Sequence, residues 1–172
     1  MTASQTGIST QAVLSMRGGG YYSERTYGAK QAIDKMLPLV KDALKPQPAQ
    51  TGVVRVADYG AADGGTSREM WFQAFQALRD GGDAREIAMT YTDLASNDFS
   101  TLFRTMQGLQ GDPALAYQKE IDDVFVYGCG TGFHVQLFPA ETLDLGFSAT
   151  AMHYLSQKPC EISTHCHAVG AE

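Results

Sequence analysis

A glycine-rich turn that directly follows a short apolar run constrains the fold of this chain more than any other stretch. Residues 53–57 are rich in valine, which is typical of a strand buried on both faces. The run ends at Asp58, and the glycines of residues 60–65 follow at once. Thr66 and Glu69 then stand at the spacing of a helix cap, before an apolar pattern of helical period. A strand, a glycine turn and a helix N-terminus in this order predict the ligand-binding turn of an open α/β sheet.

A second apolar run, residues 87–94, predicts another strand that again ends in an acid, Asp93. An acid at such a place usually accepts from ribose, because two vicinal hydroxyls present a pair of donors to one carboxylate. The distance from Gly60 exceeds the usual spacing of about 20 residues, which weakens the ribose assignment taken alone. Asn97 and Asp98 are then placed to cap an amphipathic helix.

The rest of the chain continues the alternation of helices and strands. A helical pattern begins at Ser23 and ends before Pro46, and residues 124–127 and 143–148 predict a third buried strand and a fourth strand. This order predicts one α/β domain with a mostly parallel sheet. Cys129 lies in a second glycine-rich loop. It is better explained as a small residue in a tight turn than as a nucleophile, since no base stands at a recognisable spacing.

Composition argues against several classes of partner. The 172 residues include 13 basic and 19 acidic side chains, and no basic run occurs, so neither nucleic acid nor a membrane surface is an expected partner. No apolar stretch approaches the ~20 residues of a membrane span. Three cysteines without framework spacing and a polar N-terminus indicate a cytoplasmic protein. Cysteine and histidine recur in residues 160–167, but their spacing matches no zinc pattern, so no metal site is predicted.

Four segments match one set of family motifs in the same order. Residues 16–29 begin Met-Arg-Gly-Gly-Gly-Tyr-Tyr, and residues 57–67 read Ala-Asp-Tyr-Gly-Ala-Ala-Asp-Gly-Gly-Thr-Ser. Residues 92–100 read Thr-Asp-Leu-Ala-Ser-Asn-Asp-Phe-Ser, and residues 128–157 contain Gly-Phe-His and end Leu-Ser-Gln. With these segments the chain resembles the plant salicylate and jasmonate carboxyl methyltransferases, the SABATH family. The resemblance covers nearly the whole chain but only the N-terminal part of the family's usual length.

The resemblance implies a Rossmann-like methyltransferase fold with S-adenosyl-L-methionine as cofactor. Residues 1–15 would form an N-terminal arm and residues 16–172 a partial cofactor-binding domain, with about four strands and without the family's helical cap. The implied reaction is methyl transfer to the carboxylate of a small organic acid. We expect the 172 residues alone to perform it weakly or not at all.

Carried over by position, the resemblance implies which residues line the two halves of the site. The implied cofactor contacts are Tyr22, Thr26, Asp58, Gly60, Ala61, Gly64, Thr66, Asp93, Leu94, Gly132 and Phe133. The implied substrate contacts are His153, Tyr154, Thr150 and Ala29. Ala29 stands where the family has glutamine, Thr150 where it has tyrosine and Tyr154 where it has tryptophan, so the cofactor side is better preserved than the acyl side. No catalytic acid or base is assigned, since a carboxylate acceptor is already ionised at neutral pH.

Two other functions remain open from the sequence. A non-catalytic cofactor-binding remnant would explain the missing counterparts of the cap helices. A nicotinamide-dependent oxidoreductase has only the glycine turn in its favour and is the weaker alternative. The family topology further places the first strand between the second and the fourth, which predicts an apolar edge at residues 143–147 and association into a homodimer through it.

Overall fold

The computed structural model describes residues 27–45 and 52–152, in which helices pack against a four-stranded parallel sheet. In chain order the elements are α1 (Tyr27–Ala43), β1 (Val54–Tyr59), α2 (Gly65–Asp80), β2 (Ile87–Asp93), α3 (Phe99–Met106), a 3-10 turn (Pro113–Leu115), α4 (Tyr117–Glu120), β3 (Val124–Gly130) and β4 (Leu145–Phe147). The α/β class and the parallel sheet predicted from the sequence are therefore confirmed. None of the described helices is long and apolar enough to cross a membrane.

The strand order is β3-β2-β1-β4, so β1 lies between β2 and β4 as predicted. The chain runs outward from β1 through β2 to β3 and then returns to the other side of β1. The direction of strand addition therefore reverses beside β1. In open α/β sheets, ligands bind at the carboxyl ends of the strands where such a reversal occurs.

Helix α2 covers one face of the sheet with a buried aromatic cluster. The rings of Trp71 and Phe75 stack at 5.6 Å, and both side chains are fully buried. Phe147 of β4 meets Trp71 edge-on at 5.6 Å, and Tyr117 of α4 meets Phe75 edge-on at 5.3 Å. Truncating a buried aromatic of this size typically costs 3–5 kcal/mol. The cluster therefore holds β4 and α4 to α2 and so fixes the strand ends that surround the site.

The third strand was predicted to be buried, and in this respect the prediction is wrong. Only Val124 is fully buried, whereas Phe125 is 44% and Tyr127 52% exposed. Both exposed side chains lie on the sheet face opposite α2, because side chains alternate along a strand. On that face an open groove of about 440 Å³ runs between Thr90, Tyr127 and Phe138, and the described residues cover it only in part.

The predicted helix cap is also wrong in detail. Helix α2 begins at Gly65, and its N-cap is Gly64 in the left-handed conformation, with a φ of 70° and no side-chain cap. Asp63 Oδ1 instead accepts a hydrogen bond from the Gly65 amide at 3.0 Å. The left-handed glycine starts the helix earlier than the capping pattern indicated, so Thr66 lies in its first turn.

Helix α1 packs against α2. Lys30 forms an ion pair with Glu69 of α2 at 2.7 Å, and Ile33 and Val40 are buried as the helical pattern predicted. The start predicted at Ser23 and the stop at Pro46 lie outside the described residues, as do the arm of residues 1–15 and the tail beyond residue 152.

Candidate functional site

The glycine turn after β1 is bound to the carboxyl end of β2. Thr92, the second-last residue of β2, accepts hydrogen bonds on its carbonyl from the amides of Gly60 at 2.8 Å and Ala61 at 3.1 Å. Asp58 and Asp93 lie at the ends of these two adjacent strands. The structure thus brings together the two strand-end acids and the turn that the sequence singled out.

Two glycines of the turn occupy positions where a side chain would not fit. Gly60 has a φ of 73°, and a Cβ atom there would clash with Ala151. Gly64 has a φ of 70°, and its Cβ would come within 2.5 Å of the Met106 methyl group. Left-handed backbone favours glycine, and close packing requires it here. Both the backbone conformation and the packing of Ala151 and Met106 therefore require glycine at these two positions.

Asp58 faces the core on the α2 side of the sheet. Its exposed fraction is 3%, and its Oδ2 accepts from Ser67 Oγ at 2.6 Å and from Trp71 Nε1 at 3.0 Å. Burial raises the pKa of the Asp58 carboxyl to about 6. The two hydrogen bonds oppose this shift, and the nearby charge of Asp93 adds to it. The same carboxylate thus ties α2 to β1, while both of its hydrogen bonds end on Oδ2.

Asp93 joins the end of β2 to the glycine turn. Its Oδ2 accepts from the Ala62 amide at 2.7 Å, and its Oδ1 accepts from the Leu94 amide at 2.7 Å. The side-chain amide of Asn97 donates to the Ala62 carbonyl, also at 2.7 Å. An ionised carboxylate offers about four acceptor positions, so each oxygen of Asp93 retains capacity for a further donor.

The second glycine-rich loop approaches the same turn. A Cβ atom on Gly132 would lie 3.2 Å from the Leu94 side chain, and one on Gly60 would lie 3.7 Å from the Phe133 ring. Leu94 is 41% exposed, so it offers apolar surface beside the loop. Phe133 also lines a second open groove of about 340 Å³ with Tyr59 and with apolar and polar side chains of residues 135–143. The structure thus assembles three of the sequence segments around the strand ends.

The remaining predicted site residues are only partly described. Tyr22, Thr26, His153 and Tyr154 lie outside the described residues, so their roles stay predictions. Thr150 precedes Ala151, the residue that packs against Gly60. Ala29 lies in the first turn of α1, next to the Lys30–Glu69 ion pair that connects this turn to the start of α2.

The sequence pattern does not predict which side chains hydrogen-bond to Asp58 and to the glycine turn. Ser67 and Trp71 bind Asp58, and Asn97, which the sequence predicts only as a helix cap, binds Ala62. A signal for Trp71 was available, because a buried indole N–H usually finds an acceptor. No local signal identifies Asn97, since its partner lies 35 residues away.

The acids of this crevice are not grouped as metal ligands in the described residues. Within residues 27–45 and 52–152, no group of three His, Cys, Asp or Glu side chains is arranged to hold a metal ion. Cys129 is a free, half-buried thiol on β3. The tail of residues 160–167 lies outside the described residues.

Comparison with known proteins connects this geometry to one family. The family described as SAM dependent carboxyl methyltransferase matches residues 11–170. "Methyltransferase LUC1" of Fusarium sp is 30% identical over 150 residues, which are 84% of this chain and 39% of that protein. "Indole-3-acetate O-methyltransferase 1" of Arabidopsis thaliana is 28% identical over 166 residues, which are 87% of this chain and 42% of that protein.

A solved structure shares the fold. "Loganic acid methyltransferase with SAH" superposes with a TM-score of 0.62 at 21% identity, over 83% of this chain and 41% of that one. The chain therefore spans about two fifths of the length of these relatives.

Proposed function

The chain belongs to the family of SAM-dependent carboxyl methyltransferases, and from that premise we propose that its strand-end crevice binds S-adenosyl-L-methionine for methyl transfer to a small organic acid. The observation that carries the proposal is the position of Asp93. Its carboxylate accepts from Leu94 on one oxygen and from Ala62 of the glycine turn on the other. The acid expected to bind ribose therefore lies one hydrogen bond from the turn expected to hold the methionine end.

The described residues fit such a ligand in their chemistry. The remaining acceptor positions of Asp93 suit the two ribose hydroxyls. Leu94, Gly132 and Phe133 form an apolar surface suited to the adenine ring, and the left-handed Gly60 lets the backbone approach the amino-acid end. Asp58 uses only Oδ2 for Ser67 and Trp71, so we assign Oδ1 to the ligand's ammonium group. Ala61, Gly64 and Thr66 complete the proposed cofactor side.

The proposed reaction does not require a general acid or base from the protein. When bound, S-adenosyl-L-methionine supplies the methyl group: its carbon–sulfur bond breaks as a carbon–oxygen bond forms to the acceptor carboxylate, which leaves S-adenosylhomocysteine and a methyl ester. Carboxylic acids titrate near 4, so the acceptor is ionised at neutral pH and no general base is needed. The protein's contribution is to align the reacting groups and to exclude water.

The acyl side of the proposal depends on residues beyond the described ranges. We assign orientation of one carboxylate oxygen to His153 or to the Tyr154 hydroxyl, with Thr150 and Ala29 on the pocket wall. Tyr22 and Thr26 would cover the cofactor from the N-terminal side. The partner is then a small carboxylic acid, and cysteine usage favours a cytoplasmic location.

A calorimetric titration tests the cofactor and separates the alternatives. We expect the chain to bind S-adenosylhomocysteine saturably and NAD⁺ not at all. Incubation with S-adenosyl-L-methionine and a panel of carboxylic acids, with detection of methyl esters by mass spectrometry, then tests transfer. Binding without ester formation would favour the non-catalytic alternative, and binding of NAD⁺ alone would contradict the proposal.

Self-association is the remaining proposed partner interaction. In the described part of the sheet, β4 is an edge strand that pairs only with β1. An edge strand presents unpaired backbone groups to a second strand. Light scattering tests the homodimer, and a monomer at all accessible concentrations would contradict it.

A further inference from the structure

Ala62 adopts a backbone conformation that its residue type disfavours. Within the turn, Gly60, Ala62 and Gly64 all have positive φ, and Ala62, at 50°, is the one that carries a Cβ atom. The left-handed region is unfavourable for alanine, so surrounding contacts must hold it there. Ala62 is also buried, so its amide and carbonyl need partners inside the protein.

Two side chains supply these partners, one at the end of β2 and one just beyond it. The Ala62 amide donates to Asp93 Oδ2, and the Ala62 carbonyl accepts from Asn97 Nδ2, each at 2.7 Å. Asn97 is itself held by its backbone, because its amide donates to the Leu94 carbonyl at 2.9 Å and its carbonyl accepts from the Phe99 amide at 3.0 Å. These two bonds hold the main chain of Asn97 in place and leave its side-chain amide available to donate to the Ala62 carbonyl. The side chain of Asn97 therefore braces the turn.

We infer that Asn97 is a positioning residue for the cofactor site, which acts through Ala62 without touching the cofactor. The inference rests on the proposed function, because it gives the braced turn its ligand. Asp93 has two roles, one in the brace and one toward the ligand, so a change there alters both. Asn97 takes part in the brace only, and its replacement isolates the contribution of the turn conformation to affinity.

The first experiment compares Asn97→Ala with Thr101→Val as its matched control. Thr101 Oγ1 donates to Asp98 at the start of the same helix, 2.7 Å away, so its loss also weakens the start of α3 but leaves Ala62 untouched. We expect Asn97→Ala to weaken binding of S-adenosylhomocysteine about tenfold, the scale of one lost, partly buried hydrogen bond. Thr101→Val should stay within about twofold of the wild-type affinity under conditions where both are folded. Equal losses in the two variants, or no loss in Asn97→Ala, would overturn the inference.

Introducing Asn97→Ala into an Ala62→Gly chain tests whether Asn97 acts on cofactor affinity through Ala62. Glycine adopts positive φ without strain, so Ala62→Gly should need the brace less. We expect the Asn97→Ala loss to shrink from about tenfold to about threefold or less in the Ala62→Gly chain, as coupled neighbours do in double-mutant cycles. An undiminished loss would mean that Asn97 acts by another route.

A measurement without ligand keeps the inference separate from the proposed function. Hydrogen exchange of the Ala62 amide reports on the brace directly, since this amide is bonded to Asp93. Asn97→Ala should speed exchange in residues 60–64 about tenfold, while Thr101→Val should not. Unchanged exchange would overturn the brace even if the cofactor binds. Accelerated exchange in a chain that fails to bind S-adenosylhomocysteine would instead count against the proposed function.

Discussion

The Asp58 carboxylate accepts a hydrogen bond from the Trp71 indole at 3.0 Å, inside the core that α2 forms against the sheet. The same oxygen accepts from Ser67. Burial nevertheless dominates, because it raises the pKa of Asp58 to about 6 against an ordinary 3.8. The protein thus keeps an acid that is costly to ionise at the end of its central strand.

This cost predicts a specific pH dependence of stability. The pKa of Asp58 is higher in the folded state than in the unfolded state, so the folded protein binds the extra proton between pH 3.8 and about 6. The contribution of Asp58 to stability should therefore fall as pH rises through this window and change no further above it. The free energy of unfolding of Asp58→Asn, relative to wild type, should rise by about 2 kcal/mol between pH 4 and pH 7.5. Urea unfolding at several pH values checks this, and a difference that does not vary with pH would contradict it.

Removal of the second strand-end acid, Asp93, should weaken binding of the cofactor. Asp93→Ala loses the proposed ribose acceptor and the bond to Ala62, and we expect S-adenosylhomocysteine to bind ~1–3 kcal/mol less tightly. Asp83→Ala is the control, because this acid pairs with Arg85 at the opposite end of β2. The control should lose stability but not affinity. Calorimetry decides the matter, and unchanged affinity in Asp93→Ala would exclude the ribose assignment.

Substitution by alanine should have opposite effects on stability at a glycine of the turn and at an unconstrained glycine in a helix. Gly60→Ala places a methyl group against Ala151 at a φ of 73°, and we expect a loss of about 2–3 kcal/mol in stability from strain and overpacking. Gly28→Ala, in the first turn of α1 with open space around it, should instead gain up to about 1 kcal/mol. Thermal unfolding of the two variants measures the contrast. A Gly60→Ala variant as stable as wild type would show that the turn is more adaptable than its contacts indicate.

An unpartnered hydroxyl beside the turn should be dispensable for stability. Thr92 Oγ1 is buried without a hydrogen-bond partner in the described part of the chain, although the Thr92 carbonyl holds Gly60 and Ala61. Thr92→Val keeps the shape and the carbonyl, so we expect a gain of about 1 kcal/mol in the free energy of unfolding. Thr101→Val, which loses a satisfied hydroxyl, should lose about as much. If both variants are destabilised alike, the Thr92 hydroxyl has a partner in solution.

Local pattern determined the elements that surround the site. The valine run before Asp58, the glycines after it and the apolar period beyond them specified β1, the turn and α2, because strand and helix periods are properties of neighbouring residues. Local pattern likewise predicted the extent of β2 and the Asp98 cap of α3. The order of the strands came from the family resemblance, because local periodicity carries no information on which strands pair.

Only the tertiary structure determines which hydrogen-bond partners the strand-end acids have. Asp93 reaches Ala62 across 31 residues and Asn97 reaches it across 35, and both contacts depend on the parallel register of β1 and β2. The N-cap of α2 at Gly64 and the exposed face of β3 were likewise decided by the packing around them. A hydrogen bond between distant segments forms only once the sheet has aligned them. The sequence by itself therefore determined which residues gather at the strand ends, and the fold determined which atoms of those residues are bound within the protein and which retain hydrogen-bonding capacity at the crevice.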